Sequence, residues 1–351
     1  MKWAFFLILI GSIVSCKSVN KQSTEVLKTA PREIRILDSA EAAIAIIDDD
    51  MEGFFDKVTV TEMSIQMKKN FASDTPRNQV VEAYQDFLQS DVESFTEEER
   101  TFVKNTFSKV LVICNQINKD IFPDQIELIK TKGRHYGPSV YYTRENRIII
   151  PENELENRNA DGFLQVMFHE LFHIYSRLNP QDKAELYQLI GFYKVDATMA
   201  SLQMSDSLRR RILLNPDGID FTYAIQLKDP AGYLFEALPI IAATSFDFKP
   251  SQPAFFSYLS FNLYRIEQLA DGGYRVITQP DGTSTLSLNS QPDFFAQIKD
   301  NTEYIIHPDE IMADNFTLLA LSKTDDPKHS LKQLSEEGQQ LIAEVESILK
   351  K

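Results

Sequence analysis

The spacing of apolar positions outlines this 351-residue chain before any chemistry is considered. From Phe163 to Tyr175 the only charged side chain is Glu170, while Leu164, Val166, Met167, Phe168, Leu171, Phe172 and Ile174 cover nearly the whole circumference of a helix. A helix apolar on all sides is a buried one, and Asn179 followed by Pro180 ends it. Upstream, from about residue 33 to 122, the period is helical in segments 38–58, 77–90 and 96–118, the last opening with Thr96 and Glu99 at capping-box spacing. Between 124 and 151 the pattern changes. The segments IELIKT, SVYYT and NRIIIP are rich in β-branched and aromatic residues and predict strands, with Arg144, Glu145 and Asn146 turning the last two into a hairpin. Downstream, residues 181–202 read as helix, a turn at 215–218 leads into a strand, and Pro280, Asp281 and Gly282 predict a further hairpin across 274–288. Leucine and isoleucine at helical spacing in 330–351 predict a surface helix packed on the core. The whole is an α+β pattern: a helical N-terminal region over 33–122 and a core over 123–351.

The first fifteen residues, MKWAFFLILIGSIVS, pass from one lysine through an apolar stretch to small residues. This is the form of a secretory signal, too short for a lasting membrane span. Ile13, Val14, Ser15 and Cys16 resemble a bacterial lipobox, which implies cleavage before Cys16 and lipidation of its thiol. Each buried methylene of such a lipid adds about 0.8 kcal/mol, so the mature chain is expected to sit on a membrane without crossing it. Lys17 is compatible with sorting to the outer membrane of a bacterial cell envelope. Residues 16–32 are polar and read as a tether.

Charge narrows the partners. The formal net charge is −15, and removal of residues 1–15, with Lys2 as their one charged side chain, makes the mature chain one unit more negative. Phosphate backbones and anionic lipid headgroups are repelled, so nucleic acid is not an expected partner. With Cys16 committed to lipid, Cys114 has no disulfide partner in the mature chain; in VLVICNQI it is expected to be a small buried hydrophobe. Asp48, Asp49 and Asp50 are consecutive, cannot converge from one helix side, and read as a solvated face.

The chemistry lies in the buried helix. His169 and His173 are four residues apart and project from one helix face at consecutive turns, where one ion can be gripped by two imidazoles. Glu170 lies beside them, free to take a proton from water activated by that ion. Buried ionisable groups need partners, and a metal satisfies two histidines and a glutamate together. The ten residues VMFHELFHIY resemble the extended H-E-x-x-H pattern of zincin metallopeptidases. The resemblance implies a zincin-like core with a mixed sheet ahead of the active-site helix, a Zn2+ cofactor, and a free sheet edge within 139–150 against which an extended peptide pairs.

A catalytic zinc takes three protein ligands. The metzincin continuation is excluded, because Ser176 and Asn179 stand at its glycine and third-histidine positions. In HPDEIMADNFTLLAL, Glu310 and Asp314 are four apart, which resembles the gluzincin E-x-x-x-D arrangement and implies Glu310 as third ligand and Asp314 as the carboxylate that orients the first histidine. Glu236 and Glu185 are competing ligands. An oxyanion needs a donor; His307, one turn before Glu310, is the first candidate, ahead of Tyr233 and Tyr223. His135 and His329 are expected on the surface. The expected function is a membrane-anchored zinc peptidase acting on peptide or protein substrates, with Glu170 as general base. The alternatives are a non-catalytic surface lipoprotein that keeps a zincin fold, or a zinc amidase acting on cell-wall material.

Overall fold

A computed structural model describes residues 24–29, 32–229 and 231–351; the signal segment, Cys16 and the start of the tether lie outside them. The fold is mixed α+β, with two sheets. In the first, β1 (Glu25–Thr29), β2 (Arg32–Ile36), β4 (Gln125–Thr131), β6 (Arg147–Pro151) and β5 (Tyr142–Arg144) lie side by side in that order, and β3 (Val92–Glu93) pairs with the end of β4. The pairs β2–β4 and β4–β6 are parallel, and β1–β2, β3–β4 and β5–β6 are antiparallel. The second sheet is an antiparallel meander of β7 (Phe192–Lys194), β8 (Tyr223–Lys228), β9 (Leu234–Ala243), β10 (Leu259–Gln268) and β11 (Tyr274–Val276).

Strands β4 and β6 are buried along their length because the first sheet has an apolar cluster on each face. Side chains alternate between faces along a strand. Ile148 and Ile150 accordingly join one cluster, with Val103, Phe107, Phe168 and Leu171, whereas Ile149 between them joins the other, with Phe54, Tyr84 and Leu238. This two-sided burial is why NRIIIP reads as a continuous apolar run. Helix Glu97–Ile117, started by the Thr96–Glu99 capping box, backs helix Ala160–Leu178. Helix Pro308–Ser322 packs against the other flank of Ala160–Leu178, and helix Glu336–Leu349 covers it in turn through Leu341, Ile342 and Val345.

Four expectations change. Residues 25–29 and 32–36, assigned to the tether and to the helical region, form a hairpin that extends the first sheet, because Glu33–Ile36 find parallel partners in β4 that only the folded chain supplies. The region 33–122 is therefore built into the core. Residues 181–202 are helical only over Pro180–Leu189; Gly191, at φ +82°, breaks the helix and β7 follows. The hairpin across 274–288 reduces to one bridge, Thr278 with Ser284, while β11 pairs back onto β10. His135 is buried, not on the surface. Among the described residues no helix is long and apolar enough to cross a membrane.

Candidate metal centre

Helix Ala160–Leu178 holds His169, Glu170 and His173, and helix Pro308–Ser322 lies across it carrying Glu310 and Asp314. Asp309 locks the crossing. Its Oδ1 accepts from Ser176 Oγ at 2.9 Å and its Oδ2 from Lys183 Nζ at 2.9 Å, so one carboxylate joins three helices. Burial works against its ionisation, but the adjoining Lys183 ammonium prevails and takes the carboxyl down to about 2.

This crossing brings together residues 141 apart in sequence. His169 Nε2 is 3.0 Å from Glu310 Oε2, and His173 Nε2 is 3.5 Å from the same oxygen. His169 Nδ1 faces Asp314 Oδ1 at 2.9 Å, and Thr302 Oγ1 donates to the other oxygen of Asp314. Asn215 Nδ2 donates to Glu310 Oε1 at 2.6 Å, which leaves Oε2 turned toward the two imidazoles. Competing candidates are engaged elsewhere: Glu236 accepts from Tyr193 OH, and Glu185 pairs with Lys351.

The donor set fits zinc. Three ligand atoms each about 2.1 Å from a tetrahedral centre stand about 3.4 Å apart, close to the 3.0 and 3.5 Å separations found. The ligand atoms of His169, His173 and Glu310 all lie within 4.8 Å of one another. Among the described residues, Glu170 Oε2 and both ring nitrogens of His173 are buried without a hydrogen-bond partner. Orphaned groups of this kind are costly in an ordinary core, and a cation with its water satisfies them. The electrostatics agree. Burial alone disfavours a charged His173, yet Asp217 and Glu310 raise it to about 9. Glu310 is held well below the carboxylate range against its burial by His173 and His169. Burial first, then the neighbouring Asp217, pushes Glu170 up to about 8.

A cavity of about 560 Å³ opens onto His169 and Glu170, walled by residues 139–141, Phe256 and Tyr304. The wall at 139–141 runs directly into β5, the outermost strand of the first sheet. His307 does not line this cavity. It caps helix Pro308–Ser322, its Nδ1 accepting from Asp309 N at 3.2 Å, and a Cβ at Gly218 would lie 2.5 Å from its ring. Burial lowers its pKa, in keeping with a neutral ring that accepts a backbone N–H. Tyr233 is largely exposed and Tyr223 packs edge-on against Tyr187; neither lines the cavity.

Two residues that sequence reasoning missed do. The Tyr304 ring stacks on His169 at 6.1 Å and 22°. The charge of Glu310, with burial, drives its pKa far upward, so its hydroxyl keeps the proton. Asp217 lies within 4.8 Å of both Glu170 and His173. Asn215, Pro216, Asp217 and Gly218 read as a turn from sequence, and nothing in that pattern revealed that the turn presents two side chains to the site. Comparison with family models, with curated proteins and with solved structures finds no match to this chain.

Proposed function

We propose that this chain is a zinc-dependent peptidase of the zincin type, gluzincin-like in its third ligand, that hydrolyses peptide bonds. The observation that carries this reading is the convergence of His169 Nε2, His173 Nε2 and Glu310 Oε2 beside the unpartnered carboxylate oxygen of Glu170. His169, His173 and Glu310 would hold a zinc ion, which would supply Lewis acidity toward a water and the scissile carbonyl. Asp314 fixes the His169 tautomer, keeping a proton on Nδ1 so that Nε2 is the free ligand nitrogen. Asn215 holds Glu310 in its orientation. Glu170 accepts the proton of the attacking water and returns it to the leaving amine. Tyr304, with its proton retained, replaces His307 as donor to the oxyanion. The free edge at β5 and the wall at 139–141 suit an extended peptide bound by main-chain hydrogen bonds. The reading includes the lipid anchor at Cys16 and a bacterial outer-membrane location.

The test is paired. Glu170→Gln keeps zinc and loses turnover by about 10²–10⁴-fold, the range for a removed general base, whereas His169→Ala loses both zinc and turnover. Metal analysis and assay on mixed peptide libraries read the two effects. Unimpaired hydrolysis by Glu170→Gln overturns the assignment.

A further inference from the structure

The cavity over His169 has an uneven charge. Glu170, Asp217, Glu310 and Asp314 line it, and among the described residues no lysine or arginine does. Asp217 is unusual among these. Its Oδ1 accepts from both Thr143 N at 2.5 Å and Thr143 Oγ1 at 2.7 Å, tying it to the edge strand β5, and no hydrogen bond reaches Oδ2 among the described residues. The residue is 8% exposed, yet no Lys or Arg lies within ion-pair distance of its carboxylate. Arg177, one turn beyond His173, spends its guanidinium on Glu52 and donates to Asp217 only at the backbone carbonyl. The nearest counter-charge to Asp217 is the His173 imidazole, within 4.8 Å, and once that ring is given to a metal as a neutral ligand the carboxylate is costly to bury unless something else supplies charge.

A metal would not remove the excess: with Glu170 pushed up to about 8, and absent from the Glu170→Gln chain, two positive charges would still stand against the three carboxylates of Asp217, Glu310 and Asp314. Three aromatic rings complete it: Tyr141, half-exposed Phe256 and half-exposed Tyr304. Aromatic faces beside carboxylates, with no competing side-chain cation, attract an ammonium or guanidinium.

We propose that Asp217 selects substrates bearing a positive charge next to the scissile bond, either the free α-amino group of a peptide or a lysine or arginine side chain. The inference rests on the peptidase reading for its use in catalysis. Cation recognition by this cavity is a separate property and is measured separately. Held against β5 by Thr143, Asp217 fixes where along the edge strand the charge sits, and so which peptide bond lies over Glu170.

Binding is measured by calorimetry on the zinc-loaded Glu170→Gln chain, which removes turnover from the readout. The probes are short peptides in matched pairs: lysine against norleucine, arginine against citrulline, free against acetylated N-terminus. One charged member is expected to bind about tenfold more tightly than its neutral isostere, the worth of one charge-assisted hydrogen bond. The pair that shows the difference identifies the source of the charge. In Asp217→Asn on the same background, which keeps the shape and an acceptor for Thr143, the ratio falls to near one. Equal binding within all three pairs, or preference for the neutral members, overturns the proposal without recourse to a variant. A ratio that survives Asp217→Asn overturns the role of Asp217. Failure of the unaltered chain to cleave any peptide removes the peptidase reading and leaves the binding ratios to decide this one.

Discussion

Two clusters of buried histidine and carboxylate lie on opposite sides of β5, and they are built in opposite ways. Behind the strand, His135 Nδ1 faces Asp91 Oδ2 at 2.6 Å and its Nε2 faces Tyr142 OH at 3.0 Å; Arg134 donates to Asp91 from both its backbone and its side chain. Nearby Glu62 accepts from Gln66 and Tyr136 on one oxygen and from Leu214 N on the other. These groups are satisfied. In front of the strand, Glu170 Oε2 and both nitrogens of His173 have no hydrogen-bond partner among the described residues, His173 Nε2 standing 3.5 Å from Glu310 Oε2. A closed network specifies a fold, whereas an open one retains the capacity to bind. Between these two clusters, hydrogen-bond completeness marks the difference more than residue type does.

The sharpest way to break that contrast is to exchange losses between the two. His173→Ala removes one of three ligands, roughly a third of the about 10–16 kcal/mol of a structural zinc site, so zinc affinity falls by about two to four orders of magnitude in competition titrations, with little change in the stability of the metal-free chain. His135→Ala does the reverse: zinc uptake persists, and stability to denaturant drops by about 2–3 kcal/mol because Asp91 and Tyr142 each lose a buried hydrogen-bond partner. Equal effects of the two substitutions on zinc would abolish the distinction. Asp314→Asn, acting through His169 alone, weakens zinc by about 10–100-fold, as for other outer partners of a metal ligand.

A separate effect is a pH dependence from the closed side. Burial raises Glu62 to about 8 from 4.5, so the folded chain retains a proton that the unfolded chain releases above pH 4.5. Stability contributed by this group is full below pH 4.5 and is lost as pH rises through 8. Glu62→Gln, which carries no proton to lose, flattens that slope in denaturation curves taken across the window. An unchanged slope would exclude Glu62 as its source.

Much of this arrangement was legible in the sequence, and the residues that were not have a common reason. Local signals are the legible ones: the all-round apolar helix around His169, the Thr96–Glu99 cap, the turn at Asn215 and the one-turn spacing of Glu310 and Asp314 on one helix each depend on neighbours within a few positions. The failures depend on distant ones. His135 reads as a polar loop residue until Asp91, 44 positions earlier, closes on it. His307 stands one turn from Glu310, but its ring turns back to cap its own helix, while Tyr304 three residues earlier reaches His169. Sequence spacing ranks candidates along one element; it does not report which side of a loop faces a cavity. The hairpin of β1 and β2 was hidden likewise, since its pairing with β4 spans about ninety residues.

Gly218 has no chemistry of its own, yet a single methyl group there would collide with His307 at 2.5 Å and Asp309 at 2.6 Å. Pushing that turn outward would displace Asn215 from the glutamate it steadies and Asp217 from the strand it grips. A random-mutagenesis screen for inactive clones should therefore recover alanine at 218 beside the obvious histidine and glutamate hits, a position that no inventory of reactive groups would nominate.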